Sequence, residues 1–211
     1  WHLECTTMSM KYLGQTFDIH GGGLDLQFPH HEAEIAQCKS AYGSDPVKYW
    51  VHNNMITIDG AKMSKSAGNF INIEELFSGD HEKLEKGYGP MVVRFLMLQS
   101  HYRSKIDFSN EALSAAERGY QKLMNAVALL DELEPGEDSP EEDGAIDADI
   151  LAAIQQCNAS INDDFNTAKV LAALFELASK INAIHNGQLD VNSVSKNVFG
   201  EMKQAVNDFV F

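Results

Sequence analysis

Two lysines stand three residues apart in the segment DGAKMSKSAGNF, which covers residues 59–70. Lysine carries a compact positive charge on a flexible stem, so it binds phosphate groups well and fits poorly into an apolar core. Lys62 and Lys65 are surrounded by small and flexible residues, which is typical of a loop. The segment predicts either an ordinary solvated loop or a loop whose two ammonium groups bind phosphates.

Cysteine, histidine and glutamate are spaced so that they could share a metal ion. The segment FPHHEAEIAQC begins a helix, and His30 and Glu34 lie four residues apart on one face of it. Zinc accepts imidazole nitrogen, carboxylate oxygen and thiolate sulfur, and Cys5 lies upstream. The spacing predicts either a zinc site formed by Cys5, His30 and Glu34, or a surface His–Glu pair beside a small buried cysteine. His31 and Glu32 point to other sides of the helix and are not expected to be ligands.

A run of three glycines, residues 21–23, precedes Asp25. Glycine runs allow backbone amides to approach a phosphate or a ribose closely, and a carboxylate just beyond them can accept hydrogen bonds from ribose hydroxyls. The segment predicts either a flexible turn with a solvated aspartate or nucleotide contacts at Gly22, Gly23 and Asp25.

Composition limits the classes of protein to which these residues can belong. The chain has 211 residues, of which 44% are apolar, so it can bury a sizeable core. A formal charge of −15 repels polyanions, and any contact with nucleic acid must therefore be local. Three cysteines do not suggest a disulfide framework, and no apolar run approaches the ~20 residues that span a bilayer. We expect a cytoplasmic protein that does not enter a membrane.

The elements that must position these residues change character along the chain. Residues 1–70 alternate short strand-like runs with glycine-rich turns and one helix after Pro29, which indicates an α/β unit. Residues 71–110 are predicted to be a connecting helical region, and residues 111–211 a helical domain. Within the latter, residues 134–147 contain two prolines, two glycines and seven acidic residues, which is typical of an exposed acidic linker.

The second half of the chain has the apolar spacing of packed helices. Pro90 fits the first turn of a helix, and Asn166 or Thr167 can cap another. Further helices are predicted over residues 150–161, 167–184 and 194–209. The residues expected to face inward are Leu113, Ala116, Tyr120, Leu123, Val127, Leu130, Leu151, Ile154, Val170, Leu171, Leu174, Leu177 and Ile181.

Four segments, taken in order, resemble the second half of the catalytic domain of the cysteinyl-tRNA synthetase family, which is a class I aminoacyl-tRNA synthetase family. They are WHLECTTM, FDIHGGGLDLQFPHHEAEIAQ, YWVHNNM and KMSKSAGNF. The resemblance is dense over residues 1–110 and less specific in the helical remainder. It implies the second half of a Rossmann-like catalytic domain followed by a helical bundle of the anticodon-binding type.

The resemblance implies roles for individual residues. Cys5, His30 and Glu34 match the family's zinc ligands, whose fourth member is a cysteine near the N-terminus, and no cysteine precedes Cys5 here. Trp1 and His20 match positions that line the amino-acid pocket.

The remaining matched positions belong to the nucleotide site of the family. Asp25 matches a position near the ATP ribose. Lys62 and Lys65 match the loop that closes on ATP, where Lys65 is the principal ATP lysine and both act in catalysis.

The implied reaction joins L-cysteine to tRNA(Cys) through cysteinyl-adenylate, with ATP and Mg²⁺ as substrate. Class I synthetases also need a His-x-Gly-His signature, which this chain does not contain. We therefore expect a C-terminal piece that lacks an N-terminal segment of the same protein and is inactive by itself. Two alternatives remain at this point: a ligase that joins cysteine to an amino sugar, and a non-catalytic binding module.

Overall fold

The computed structural model describes residues 1–210, apart from the side chain of Ala67. The chain forms two compact units. The first comprises residues 1–63 together with residues 102–107, and the second comprises residues 64–101 and the chain from residue 108 onward. The boundaries expected at residues 70 and 110 from the sequence remain a prediction.

The first unit contains a β-α-β arrangement. Its elements are α1 (His2–Leu13), β1 (Phe17–Gly23), the one-turn helix α2 (Leu24–Leu26), a π-type turn (Gln27–His31), α3 (Glu32–Tyr42) and β2 (Val47–Asn53). Strands β1 and β2 are parallel, with Phe17 opposite Val47 and Gly23 opposite Asn53. Parallel strands need a crossover connection, which α3 supplies, so the predicted α/β character is confirmed.

Helix α1 was not predicted from the sequence, which indicated only one helix before residue 70, the helix after Pro29. Its sequence has no internal glycine or proline, and Leu3, Thr6 and Met10 recur at helical spacing. This row meets α3, where the Thr6 hydroxyl lies 2.9 Å from Gln37 Oε1. The contact with α3, which is distant in sequence, adds tertiary packing to this local helical pattern.

A second small sheet completes the first unit. Its strands are β3 (Ile56–Ile58), β4 (Ala61–Lys62) and β5 (Ile106–Asp107), in the order β4-β3-β5. Strand β4 is antiparallel to β3, and β5 is parallel to it. The turn between β3 and β4 has φ values of 51° at Asp59 and 74° at Gly60. Such Asp-Gly turns connect hairpin strands because both residues tolerate the left-handed region.

The second unit is helical. A one-turn 3₁₀ segment (Lys65–Ala67) precedes α4 (Ile73–Ser78), α5 (Pro90–Leu98), α6 (Asn110–Glu132), α7 (Asp147–Asn162), α8 (Thr167–His185) and α9 (Lys196–Val210). Pro90 occupies the first turn of α5, as predicted. Ser109 caps α6, and Asn166 rather than Thr167 caps α8 by accepting a hydrogen bond from the Lys169 amide.

The predicted inward rows are largely buried in this unit. On α6, Leu113, Ala116, Leu123, Val127 and Leu130 are at most 5% exposed, whereas Tyr120 is half-buried. On α8, Val170, Leu174, Leu177 and Ile181 are buried, and Leu171 is half-buried.

On α7, the residues predicted to face inward are wrong by one position. Leu151 and Ile154 are half-buried, and the inward row consists of Ile150, Ala153 and Cys157. Ala153 and Cys157 are small, so the larger apolar side chains of Leu151 and Ile154 indicated the wrong face of the helix. Within residues 1–210, no helix combines the length and the apolar content that crossing a bilayer requires.

Candidate metal centre and histidine cluster

The three predicted metal ligands lie close together in the first unit. His30 lies in the π-type turn before α3, Glu34 on its first turn and Cys5 on the packed helix α1. One ligand atom from each of the three residues lies within 4.8 Å of the other two. His30 Nε2 is 3.1 Å from Glu34 Oε1. A thiol, an imidazole and a carboxylate at these separations are a donor set that suits zinc.

The environment of Glu34 also fits a cation. Its side chain is buried, and its Oε1 atom has no hydrogen-bond partner within the described chain, although His30 lies nearby. Burial raises the pKa of Glu34 to about 7. Burial also raises the pKa of the Cys5 thiol, and the Glu34 charge adds to that effect. A buried carboxylate without a hydrogen bond is costly, and a bound cation would offset this cost.

A second histidine faces the other carboxylate oxygen. His20 Nδ1, on β1, lies 3.5 Å from Glu34 Oε2. His20, His31 and Glu34 also offer ligand atoms within 4.8 Å of one another. The Glu34 carboxylate thus lies between His30 on one side and His20 on the other.

Aromatic rings pack behind these donors. His31 Nδ1 lies 2.8 Å from His52 Nε2. The Trp50 ring stacks on His20 with 4.7 Å between ring centroids, and its centroid is also 4.7 Å from that of His31. The parallel register explains the cluster, because His20 lies opposite Trp50 in the sheet.

Burial sets the charge of the histidines, and a neighbouring glycine leaves room for one of their rings. Burial, followed by the charges of His20, His52 and His30, lowers the pKa of His31 to about 4, so this imidazole is neutral near pH 7. Burial likewise lowers the pKa of His20. A Cβ atom at Gly22 would lie 2.7 Å from His31 Cε1, so a glycine is needed at Gly22 to leave room for the ring.

The other predicted pocket residues lie in more open surroundings. Trp1 is 85% exposed, whereas His20 belongs to the histidine cluster. Asp25 is exposed on α2, and its carboxylate occupies the position that a Cβ atom on Gly23 would need. The glycine run therefore ends β1 beside both the histidine cluster and Asp25.

The two lysines of the loop belong to different units. Lys62 is exposed on β4 in the first unit. Lys65 begins the 3₁₀ turn of the second unit, and its Nζ lies 5.3 Å from the centroid of the Phe70 ring. In the same segment, the Ser64 amide donates a hydrogen bond to Asn69 Oδ1 at 2.9 Å. Both side chains are accessible to a ligand.

Sequence reasoning missed His31, Trp50 and His52 as members of this site. Trp50 and His52 stand two residues apart in a strand, and therefore share a face. This spacing was the signal that could have identified them. Glu32, also set aside as a ligand, is exposed.

Comparison with protein families gives two matches. Residues 1–118 match the class I (C) tRNA synthetase catalytic domain, and residues 157–209 match the DALR domain.

Similar curated proteins share one name. The chain is 52% identical to a cysteine–tRNA ligase of Cytophaga hutchinsonii over 100% of this chain and 42% of that protein. It is 54% identical to a cysteine–tRNA ligase of Porphyromonas gingivalis over 92% of this chain and 38% of that protein. The corresponding protein of Deinococcus radiodurans is 50% identical over 88% of this chain and 35% of its own length. The chain thus spans about two fifths of the length of these relatives.

A solved structure supports the fold. It is a ternary complex of LeuRS, tRNA and LeuAMS from Agrobacterium radiobacter K84, with a TM-score of 0.59 and 18% identity over 92% of this chain and 26% of that chain. On the family match over more than half of its residues, the chain belongs to the class I (C) tRNA synthetase catalytic-domain family, with a DALR domain following.

Proposed function

We propose that the complete gene product carrying these residues attaches L-cysteine to tRNA(Cys) at the expense of ATP, through a cysteinyl-adenylate. The observation that carries this proposal is the convergence of Cys5, His30 and Glu34 in a segment that matches the catalytic-domain family. The name shared by the similar curated proteins supports the same substrate. The alternative acceptor, an amino sugar, and the non-catalytic module have no such support.

Cys5, His30 and Glu34 would hold the zinc ion in this proposal. Bound there with an open position, zinc would favour a thiolate over a hydroxyl and so distinguish cysteine from serine. His20, 3.5 Å from Glu34 Oε2, would orient the ligating carboxylate. The Trp50 ring, stacked on His20, would keep that imidazole in place and exclude water from one side.

Lys62 and Lys65 would bind the phosphates of ATP, which enters with Mg²⁺. Their charges would stabilise the negative charge that builds up on the departing pyrophosphate, because phosphoryl chemistry depends on positioning and fixed charge. The exposure of both side chains and their place in a KMSKS segment support this role. Asp25 and the amides of Gly22 and Gly23 would contact the nucleoside.

A groove between α6 and α8 supports RNA as the acceptor. This groove, of about 590 Å³, is lined by Arg118, Gln121, Lys122, Asn125, Phe175, Ser179, Asn182 and Asn186. Its lining contains no carboxylate, although the chain as a whole has 31 acidic residues. Lys122 Nζ lies 6.0 Å from the centroid of the Phe175 ring. Cations, amides and an aromatic ring are the groups that bind a nucleic-acid backbone and its bases.

The cations of this groove differ from others on the helical unit. Lys169, Lys180 and Lys196 pair with Asp163, Asp149 and Glu141. Arg118 and Lys122 form no ion pair with any residue in the described range of the chain. They therefore leave two positive charges available to phosphates.

The test is aminoacylation by the purified, zinc-loaded complete gene product with radiolabelled cysteine. We expect acid-precipitable label on tRNA(Cys) and background label on other tRNA species. Transfer of cysteine to an amino sugar but not to tRNA would favour the other ligase, and no activation of cysteine at all would refute the proposal.

A further inference from the structure

Asp107, at the end of β5, makes two hydrogen bonds to the hairpin that carries Lys62. Its Oδ1 atom accepts one from the Thr57 hydroxyl at 2.7 Å and one from the Gly60 amide at 2.8 Å. Thr57 lies on β3, and Gly60 lies in the turn between β3 and β4. One carboxylate oxygen thus holds both the strand and the turn.

The register of the sheet aligns Asp107 with Lys62, which lies on β4. Thr57 lies opposite Lys62 on one side and opposite Asp107 on the other. Residues directly opposite one another across a ladder share a face of the sheet. Asp107, Thr57 and Lys62 therefore form one row across three strands.

The turn needs such an anchor. Asp59 and Gly60 both have positive φ, and the hairpin beyond them is short, since β4 contains only Ala61 and Lys62. Two-residue strands add few ladder hydrogen bonds, and short hairpins are marginal by themselves. Charge-assisted hydrogen bonds from the turn amide and from Thr57 supply a constraint that the ladder alone does not.

We propose that Asp107 is a positioning residue for Lys62: its carboxylate holds the β3–β4 hairpin in the one geometry from which the lysine meets the phosphates of ATP. This inference rests on the proposed function, in which Lys62 binds those phosphates. Misplacement of a reacting or stabilising group by about 1 Å can cost roughly 100-fold in rate. Loss of the Asp107 contact should therefore lower the rate and leave the binding of cysteine unchanged.

Substitution of Asp107 by alanine and by asparagine separates positioning from charge. Asp107→Ala removes both hydrogen bonds, whereas the amide oxygen in Asp107→Asn can accept the same two. In the zinc-loaded complete gene product, Asp107→Ala should lower kcat of ATP–pyrophosphate exchange by about 10- to 100-fold with KM for cysteine unchanged. Asp107→Asn should keep kcat within about fivefold of the wild type. Asp18→Ala, an exposed residue paired with Lys48 in the same unit, is the matched control and should change nothing.

Hydrogen–deuterium exchange gives a readout that does not depend on catalysis. Peptides covering residues 56–63 should exchange faster in Asp107→Ala than in the wild type, and Asp107→Asn should restore protection. If Asp107→Ala does not fold, Thr57→Val removes one of the two hydrogen bonds at nearly constant volume and should lower kcat by a smaller factor.

The outcomes separate this inference from the proposed function. A wild-type protein without cysteine-dependent exchange would refute the proposed function, and the role of Asp107 with it. An active wild type whose Asp107→Ala variant keeps kcat within twofold would refute the role of Asp107 alone. An equal loss in Asp107→Ala and Asp107→Asn would also refute positioning by hydrogen bonds.

Discussion

His30 Nε2 lies 3.1 Å from Glu34 Oε1, one helical turn away, and the glutamate side chain is 2% exposed. A glutamate so deeply buried needs either a proton or a positive partner. The thiol of Cys5 is the third donor at the same place. The pair is therefore not an exposed surface contact between neighbouring helical residues, and its burial supports the proposed metal centre.

Replacing Glu34 should release the metal. Glu34→Gln removes a charged oxygen ligand, and the zinc affinity should fall by more than the roughly 10- to 100-fold that loss of an outer partner costs. Metal content after gel filtration measures this, and cobalt substitution adds a thiolate-to-cobalt absorption band that reports on cysteine ligation.

The matched control is Glu32→Gln, an exposed acid on the same helix, which should retain wild-type metal. Full zinc content in Glu34→Gln would contradict the assignment. A cobalt spectrum without a thiolate band would exclude Cys5 as a ligand.

Replacing Lys65 should slow adenylate formation. In the complete gene product, Lys65→Ala removes a positive charge that the transition state needs, so the exchange rate should fall by at least roughly 100-fold with cysteine affinity nearly unchanged. Lys48→Ala, an exposed lysine paired with Asp18, serves as the control. An unaltered rate in Lys65→Ala would mean that this part of the loop is only solvated surface.

Asp147 should make the helical unit sensitive to acid. Its carboxylate accepts hydrogen bonds from the Gly144 amide at 2.8 Å and the Ser195 amide at 3.0 Å. Burial alone would raise the pKa of Asp147, but the hydrogen bonds from Ser195 and Gly144 outweigh it and lower the pKa below its usual range. A lowered pKa stabilises the fold above the unfolded value of about 3.9, and this contribution is lost as pH falls through the folded pKa.

Denaturant unfolding of Asp147→Asn measures that contribution. At pH 7 the free energy of unfolding should fall by about 1–3 kcal/mol, and the gap from the wild type should narrow below about pH 3. Asp149→Asn, an exposed neighbour paired with Lys180, should cost less than about 1 kcal/mol. If the free energies of unfolding of Asp147→Asn and the wild type differ by the same amount at both pH values, the charge of Asp147 does not stabilise the fold.

The groove between α6 and α8 should contribute to RNA binding through charge. Combining Arg118→Ala with Lys122→Ala should weaken tRNA binding and reduce the slope of log K against log salt by about 0.7–0.9 for each cation removed. Lys169→Ala with Lys196→Ala, two cations already paired with acids, is the control. If both double variants change the slope equally, the effect is one of net charge and the groove is not a binding surface.

The sequence predicted contacts that depend on local spacing better than contacts that depend on strand pairing. His30 and Glu34 are one helical turn apart, so their proximity follows from helix geometry alone. The hydrogen-bonded pair of His31 and His52 was not foreseen, because it requires β1 and β2 to pair in one register.

Other differences between the predicted and the observed structure also arise from packing and from contacts that are distant in the sequence. The helix α1 ends before Gly14, which is a local signal of a helix C-terminus, whereas its packing against α3 joins segments that are far apart in the sequence. On α7 the apolar pattern was shared by two adjacent rows, and packing rather than hydrophobicity selected the row that contains Cys157. The hydrogen bonds of Asp107 could not be predicted because its partners, Thr57 and Gly60, are far away in the sequence.

The proposed function is tested most directly by amino-acid-dependent ATP–pyrophosphate exchange by the zinc-loaded complete gene product, with cysteine and serine compared at equal concentration. We expect rapid exchange with cysteine and a rate with serine lower by roughly 10⁴-fold, because the proposed zinc site of Cys5, His30 and Glu34 would favour a thiolate. Exchange that proceeds equally with serine, or that needs no cysteine, would contradict the proposed function.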